Sequence, residues 1–219
     1  MGSTRYPGKM LEKLGSVPII EWVLRRVKRA HMLDEVLLAT TNLPRDDILV
    51  NIADQFDVNV FRGNESDVLK RFSDAAKQLN SEIVVRVCAD NPFIDPFEID
   101  RLVSFFNSND IDYACNEQNC LNRDYSCGFG AEILRASLLE ELNKRVRESR
   151  QREHVTLYLL ENPNKFQLAA VPVPPELAYP ELRYDVDEPE DLESLKTLCS
   201  NGITIDSDAK AIIAMTLNQ

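Results

Sequence analysis

The sequence predicts an α/β protein with a mostly parallel, mixed sheet and helices on both faces. Ile20, Val23, Leu24 and Val27 recur at helical spacing, and residues 35–40 then form a short, nearly continuous apolar run. The first pattern is typical of an amphipathic helix and the second of a buried strand. The same alternation continues to residue 88, and repeated βα units favour a mostly parallel sheet covered on both faces.

The remaining elements follow from the same two periods. Helices are predicted near 45–56, 66–79, 96–106, 136–146, 152–161, 189–199 and 207–217. Strands are predicted at 58–61, 82–88, 112–115, 131–134, 166–171 and 182–186. Residues 116–129 have neither period and are interpreted as a substrate loop. Prolines predict an extended connection, because proline removes a donor and disfavours helix, at positions 172, 174, 175 and 180.

Composition indicates one globular domain over residues 1–219. The chain is 44% hydrophobic, which is enough for a substantial core, and no linker or repeat interrupts it. A formal charge of -11 argues against binding to nucleic acid or to an anionic membrane surface, since both need clustered cations. Without a spanning apolar run or a signal-peptide pattern, the expected location is the cytoplasm.

The cysteines indicate reduced thiols. There are five of them, an odd number, and no C-x-x-C pair occurs. A zinc cluster of Cys115, Cys120 and Cys127 is disfavoured because the spacing is unusual and both histidines are distant in sequence.

The first nine residues suit a phosphate chain. They combine Gly2 and Gly8 with two hydroxyl side chains and with the cations Arg5 and Lys9. Backbone N–H groups and cations in such a loop face an anion.

A second candidate segment follows the strand predicted at 82–88. Asp90 and Asn91 stand at its carboxyl end, where open parallel sheets bind ligands. The Asp90 carboxylate suits a hard cation, whereas an Asx turn formed by both residues explains them equally well.

The candidate segment richest in acidic residues is 184–191. Asp185 and Asp187 share a face if the strand stays extended, so two carboxylates are available for one cation. A Mg²⁺ site built from Asp90 and Asp187, completed by a nucleotide, fits the preference of this ion for carboxylate and phosphate oxygens. The alternative for Asp187 is N-capping, since Pro189 suits a first helical turn. The similar arrangement at Asp95 is interpreted as a cap without a metal.

Together, these segments resemble the cytidylyltransferases that activate sugar acids. The likeness is strongest to their spore coat polysaccharide biosynthesis branch and includes the acylneuraminate and deoxy-manno-octulosonate enzymes. It rests on five segments in register, at residues 2–9, 61–71, 89–96, 152–156 and 185–192.

The resemblance implies a Rossmann-like nucleotide-diphospho-sugar transferase fold and transfer of CMP from CTP to a sugar acid, with release of pyrophosphate. Relatives place an apolar strand directly before the first loop, so the first strand is expected to be missing from this chain. Mg²⁺ is the implied cofactor, and a homodimer is a family expectation. The implied site consists of catalytic Arg5, Lys9 and Asp90; nucleotide-binding Gly2, Ser3, Thr4 and Arg71; substrate-binding Glu132, Arg152 and His154; and metal-binding Asp90, Asp185 and Asp187.

Several alternatives stay open. His154 has a structural interpretation, a half-buried imidazole at the start of a helix, and Arg71 has one as a solvated charge on a helix. Tyr6 and Gly130 depart from the family pattern, and the second departure bears on sugar preference. At the level of function, the alternatives are a non-catalytic or truncated relative that binds nucleotide or a partner, and a glycosyltransferase that uses a nucleotide sugar.

Overall fold

The computed structural model describes residues 1–3, 5–118, 120–121 and 123–218. The strands found in these residues are β1 (Lys13–Leu14), β2 (Val17–Pro18), β3 (Leu37–Thr41), β4 (Asn59–Gly63), β5 (Ile83–Arg86), β6 (Tyr113–Cys115), β7 (Glu132–Arg135) and β8 (Leu168–Ala170). The α-helices are α1 (Ile19–Val27), α2 (Asp47–Gln55), α3 (Val68–Gln78), α4 (Pro96–Asn107), α5 (Ala136–Arg145), α6 (Ser149–Glu153), α7 (Leu157–Glu161), α8 (Pro189–Ser200) and α9 (Ala209–Leu217).

The described strands form three separate sheets. β1 and β2 make an antiparallel hairpin, and β3 and β4 make a parallel pair. The other four strands lie in the order β5-β7-β6-β8. β7 runs antiparallel to both β5 and β6, whereas β6 and β8 are parallel, so this sheet is mixed.

Successive side chains of β6 and β7 point alternately to the two faces of the four-stranded sheet. Ile133 pairs with Ala114, and both pack with the α1 and α4 side chains. Leu134 pairs with Tyr113, and both pack with residues of α3 and α5. Successive side chains of a strand point to opposite faces, so the sheet is covered by helices on both sides, as predicted.

Asp95 caps α4, as predicted, and it also binds a second helix. Its carboxylate accepts hydrogen bonds from Phe97 N at 2.8 Å and from Ala209 N, the first residue of α9, at 2.6 Å. Burial raises the pKa of Asp95, and these two backbone donors and the buried Arg26 oppose that rise. The cap therefore joins two helices that are distant in sequence.

Two sequence predictions are corrected by the structure. The helix expected over 152–161 is divided between α6 and α7, with His154 just past the end of α6. The strand expected over 182–186 does not form, because only Arg183 makes a bridge, to Cys127, and Val186 N donates instead to Asp90 O at 2.8 Å.

Among the described residues, none of the five cysteines takes part in a disulfide bond. In the described part of the chain, every helix is too short or too polar to cross a bilayer.

Candidate active site

The ammonium group of Lys9 lies between two of the predicted acidic residues. Its Nζ is 2.8 Å from Asp90 Oδ2 and 3.3 Å from Asp187 Oδ1, and it donates to Val186 O at 2.6 Å. Only 9% of Lys9 is exposed, whereas both carboxylates are partly accessible. The structure thus brings Lys9, Asp90 and Asp187 together, and two oxygen-bearing side chains remain open to a ligand.

Asp187 is available because other residues cap α8. The N-cap is Glu188, which forms a capping box with Asp191, and Asp191 Oδ2 accepts from the backbone N–H groups of both Asp187 and Glu188 at 2.8 Å. The capping alternative for Asp187 is therefore wrong. The box holds the backbone of Asp187 while its carboxylate faces the cations.

The first loop closes over this group. Gly8 N donates to Met1 O at 3.2 Å, and Gly8 has a φ of 77°, a left-handed conformation that glycine adopts without strain. Ser3 Oγ accepts from Tyr6 N at 3.2 Å. Arg5 is 59% exposed and pairs with Asp187 Oδ1 at 2.9 Å. The loop therefore presents Arg5 to solvent directly beside the buried Lys9.

The two remaining residues predicted to bind nucleotide in this loop are Gly2 and Thr4. Thr4 lies outside the described residues. Gly2 lies against the ion pair of Arg45 with Glu65, where an added Cβ would fall 2.7 Å from Arg45 Nη2 and within contact of Glu65. Gly2 therefore packs closely against two side chains of the protein, and its role in nucleotide binding stays a prediction.

A cavity of about 250 Å³ lies next to Lys9 and Asp90. Arg71, from α3, lines it, and its Nη1 donates to Asn64 O at 2.7 Å. Its Nε is buried without a hydrogen-bond partner, and burial lowers the pKa of Arg71. The structure thus places Arg71 at the site with one unsatisfied donor, and not on a solvated helix face.

Sequence reasoning missed Asp46, which lines the same cavity. One oxygen accepts from Thr40 Oγ1 at 2.9 Å and from Thr41 Oγ1 at 2.6 Å. Burial raises its pKa, but these hydroxyls and the Met1 amino group outweigh burial and lower the pKa overall. Its position beyond the end of β3 was the available signal, because ligands of such sheets bind there.

Asp185 does not join the other two carboxylates. Its oxygens contact Arg183 Nη2 at 2.6 Å and Cys127 Sγ at 3.3 Å. No cluster of three or more acidic, histidine or cysteine ligands occurs among the described residues. The structure brings Asp90 and Asp187 together without Asp185, because residues 182–186 do not form the extended strand that would align Asp185 with Asp187. A metal-binding role of Asp185 stays a prediction.

The three predicted sugar contacts lie apart from this pair. Glu132 is 3% exposed, and its oxygens are bound by Arg86, by Tyr113 OH at 2.6 Å and by Thr156 Oγ1 at 2.5 Å. Although burial raises the pKa of Glu132, Arg86 and the two hydroxyls lower it overall. In this conformation, the carboxylate of Glu132 supports the sheet and is not open to a ligand.

The other two predicted sugar contacts are Arg152, whose guanidinium is bound by other residues of the protein, and His154, which is exposed. Arg152 Nη2 contacts Asp67 and Asn143, each at 2.8 Å, and so ties α6 to α3 and α5. His154 is exposed, which corrects the half-buried alternative. Neither side chain meets the Lys9 group in the structure.

Glu117 is a second acidic residue that the sequence did not single out. Its Oε2 is buried without a hydrogen-bond partner. Burial raises its pKa to about 7, against hydrogen bonds from the Cys127 thiol and from backbone N–H groups. Glu117 lies within residues 116–129, the segment that the sequence predicts to be a substrate loop.

The family model described as cytidylyltransferase matches residues 1–212. The chain belongs to the cytidylyltransferase family. It is thus a CTP-dependent nucleotidyltransferase by family, and the predicted recognition is confirmed.

Individual relatives agree with this assignment. The chain is 32% identical to the spore coat polysaccharide biosynthesis protein SpsF of Bacillus subtilis, over 90% of this chain and 82% of that protein. It is also 32% identical to a 3-deoxy-manno-octulosonate cytidylyltransferase of Geobacter sulfurreducens, over 47% of this chain and 40% of the relative. A cytidylyltransferase structure from Leptospira borgpetersenii covers 100% of this chain and 89% of its own, with 34% identity and a TM-score of 0.90. This last similarity confirms the Rossmann-like α/β fold of the nucleotidyltransferases.

Proposed function

We propose that this protein transfers CMP from CTP to a sugar acid, releasing pyrophosphate, for the synthesis of a surface polysaccharide or glycoconjugate. The observation that carries the proposal is the position of Lys9 between Asp90 and Asp187, beside Arg5 and at the edge of a cavity. Phosphoryl transfer needs charge neutralisation and alignment more than covalent chemistry from the protein. This group of charges supplies both.

The cations have distinct roles in the proposal. Arg5 is exposed and planar, so its guanidinium suits two oxygens of the leaving pyrophosphate. Lys9 is a compact charge held by three oxygen atoms, and it faces the reacting phosphate. Arg71 contributes its unsatisfied Nε to the nucleotide in the cavity. Each charge is preorganised by protein contacts, which favours a developing negative charge without reorganisation.

The donor set fits Mg²⁺ with two carboxylates. Asp90 and Asp187 both contact one ammonium nitrogen, so their oxygens converge closely enough for a single cation. Mg²⁺ is commonly held by one or two carboxylates together with substrate phosphates. When bound, it would neutralise phosphate charge, and Asp185 would stay outside its ligand set.

The sugar acid as acceptor is supported by the similarity to a 3-deoxy-manno-octulosonate cytidylyltransferase, and the role in polysaccharide synthesis by the similarity to the spore coat polysaccharide biosynthesis protein SpsF. We further propose that residues 1–219 act as one nucleotidyltransferase domain, in the cytoplasm, where CTP is available, and as a homodimer. None of these statements depends on the geometry of Lys9.

A substrate screen tests the proposal. CTP, UTP and ATP are each incubated with a panel of sugar acids and Mg²⁺, and pyrophosphate release is recorded. We expect release with CTP and at least one sugar acid, and none when the sugar is omitted. Release that is equal with UTP or ATP contradicts the nucleotide assignment. Binding of CTP with no release for any acceptor favours a non-catalytic relative.

A further inference from the structure

The ammonium group of Lys9 uses all of its hydrogen-bonding capacity within the protein. A lysine ammonium has three N–H donors and no acceptor. In the part of the chain that the structure describes, Lys9 Nζ donates to Asp90 Oδ2 at 2.8 Å, to Val186 O at 2.6 Å and to Asp187 Oδ1 at 3.3 Å. These three oxygens match the three donors. A phosphate oxygen can therefore bind this ammonium only if one of the three contacts is given up.

The two carboxylate contacts are easier to exchange than the contact with the main chain. Val186 is fully buried, and its carbonyl makes the shortest of the three hydrogen bonds. The side chains of Asp90 and Asp187 are 31% and 27% exposed, so solvent or a ligand can replace Lys9 at their oxygens. Asp187 Oδ1 also contacts Arg5 at 2.9 Å and keeps that partner when Lys9 leaves.

The backbone of Lys9 is fixed, and its side chain lies between the acidic pair and the cavity. Lys9 N donates to Tyr6 O at 3.3 Å, and Glu12 N donates to Lys9 O at 3.1 Å. Lys9 lines the cavity of about 250 Å³ together with Arg71, whereas its ammonium contacts Asp187 outside the lining. A lysine has a flexible four-carbon stem. Rotations of this stem therefore carry Nζ toward the cavity without any movement of the backbone.

The ammonium and a divalent cation cannot share the acidic pair without repulsion. Mg²⁺ binds carboxylate oxygens at about 2.0–2.1 Å, so an ion held by both Asp90 and Asp187 would lie next to Nζ. Two positive charges repel strongly at such a distance. Lys9 and Arg5 already balance the charges of the two carboxylates, and a divalent ion alone would add an excess of positive charge. A triphosphate offsets that excess and is a new partner for the ammonium.

We propose that Lys9 couples the metal site to the nucleotide: its ammonium competes with Mg²⁺ for Asp90 and Asp187, and a bound triphosphate draws the ammonium away and opens both carboxylates to the metal. This inference rests on the proposed function. The exchange takes place when the nucleotide binds, before the chemical step, so Mg²⁺ enters with CTP or after it. Lys9 is thereby a positioning residue for the metal as well as a contact to phosphate.

The first test measures Mn²⁺ binding without nucleotide, from the paramagnetic resonance signal of the free ion. Lys9→Met removes the competing ammonium, and we expect it to bind Mn²⁺ at least about tenfold more tightly than the unaltered protein. Arg5→Met is the matched control, because it removes an equal charge beside Asp187 and leaves Lys9 on both carboxylates. Its gain should stay below about threefold, since an exposed charge acts through solvent. No gain for Lys9→Met, or an equal gain for Arg5→Met, overturns the proposal.

The second test measures CTP binding by calorimetry in the presence of a chelator. Asp90→Asn weakens the hold on the ammonium, so we expect metal-free CTP to bind at least about threefold more tightly than to the unaltered protein. Asp185→Asn removes an equal charge from a residue that contacts Arg183 and Cys127, and it should show no such gain. Equal affinities for the two variants contradict the coupling. Should Lys9→Met not fold, this comparison decides.

The two tests separate this inference from the proposed function. If CTP binds to none of the forms, with Mg²⁺ or without it, the proposed function and the coupling to nucleotide are both wrong. The Mn²⁺ comparison needs no nucleotide and decides the competition between ammonium and metal by itself. If CTP and Mn²⁺ both bind the unaltered protein, but Lys9→Met binds Mn²⁺ no more tightly, the proposed function stands and the inference about Lys9 is overturned.

Discussion

The ammonium nitrogen of Lys9 lies 2.8 Å from Asp90 Oδ2, although 81 residues separate the two in the sequence. Lys9 belongs to the first loop, and Asp90 follows β5. Their contact joins the predicted phosphate-binding loop to the predicted metal-binding edge of the sheet. The proposed CTP site is therefore one connected group of charges.

Replacing Lys9 tests the cationic half of this group. Lys9→Met removes the charge that Asp90 and Asp187 share, and we expect CTP-dependent pyrophosphate release to fall at least 100-fold, the order seen when one charge-stabilising donor is lost. Lys13→Met, on the exposed side of β1, is the matched control and should keep the full rate. A rate for Lys9→Met within about threefold of the unaltered protein would remove Lys9 from the mechanism.

The ion pair of the partly buried Arg86 with the buried Glu132 is expected to stabilise the sheet. Glu132→Gln leaves Arg86 without its counter-charge, and we expect a loss of about 3 kcal/mol in the free energy of unfolding, measured by urea denaturation, at the lower end for a buried pair because Arg86 is partly exposed. Glu141→Gln removes an exposed partner of Arg145 and should cost less than about 1 kcal/mol. If Glu132→Gln instead keeps its stability and raises the KM for the sugar acid, the direct sugar contact predicted from the sequence is correct.

Glu117 predicts a pH dependence of stability. Its pKa is raised to about 7, so the native state binds more protons than the unfolded state between about pH 4.5 and 7. The protonated Glu117 carboxyl therefore contributes its full stability below about pH 4.5. As the pH rises through about 7, the free energy of unfolding falls by about 3 kcal/mol, which is the difference between the two pKa values expressed as a free energy.

The glutamine variant isolates this contribution. Glu117→Gln stays neutral at every pH, so the difference in unfolding free energy between the two proteins should change by that amount from pH 4.5 to 7.5. Urea denaturation at four pH values measures it. A constant difference across the window would show that the Glu117 carboxyl titrates normally.

Much of the fold follows from local patterns, because the two hydrophobic periods identify helices and strands directly. The helix at 20–27 and the Asp95 cap needed only neighbouring residues, and the structure contains both. The antiparallel direction of β7 could not be predicted from the sequence, because it depends on the path that residues 116–129 take between β6 and β7.

The candidate site was predictable where it depends on strand ends and less so where it depends on side-chain direction. Asp90 follows β5, and this position at a strand end is visible in the sequence. Asp187 meets it because Val186 N donates to Asp90 O and so holds the two segments together. Asp185 turns to Arg183 and Cys127 through contacts that no spacing rule specifies. The capping box forms one residue later than expected, between Glu188 and Asp191, which leaves Asp187 free of the capping role. Asp46 was missed because a lone aspartate before a helix is also typical of a cap.

The most direct test of the account is the rate of CTP-dependent pyrophosphate release at limiting Mg²⁺ for Asp187→Asn and for Asp185→Asn. We predict that Asp187→Asn and Asp90→Asn each lose at least 100-fold in rate, whereas Asp185→Asn stays within about tenfold of the unaltered protein. A nearly full rate for Asp187→Asn at limiting Mg²⁺ would contradict the assignment of the metal and triphosphate to this pair of carboxylates.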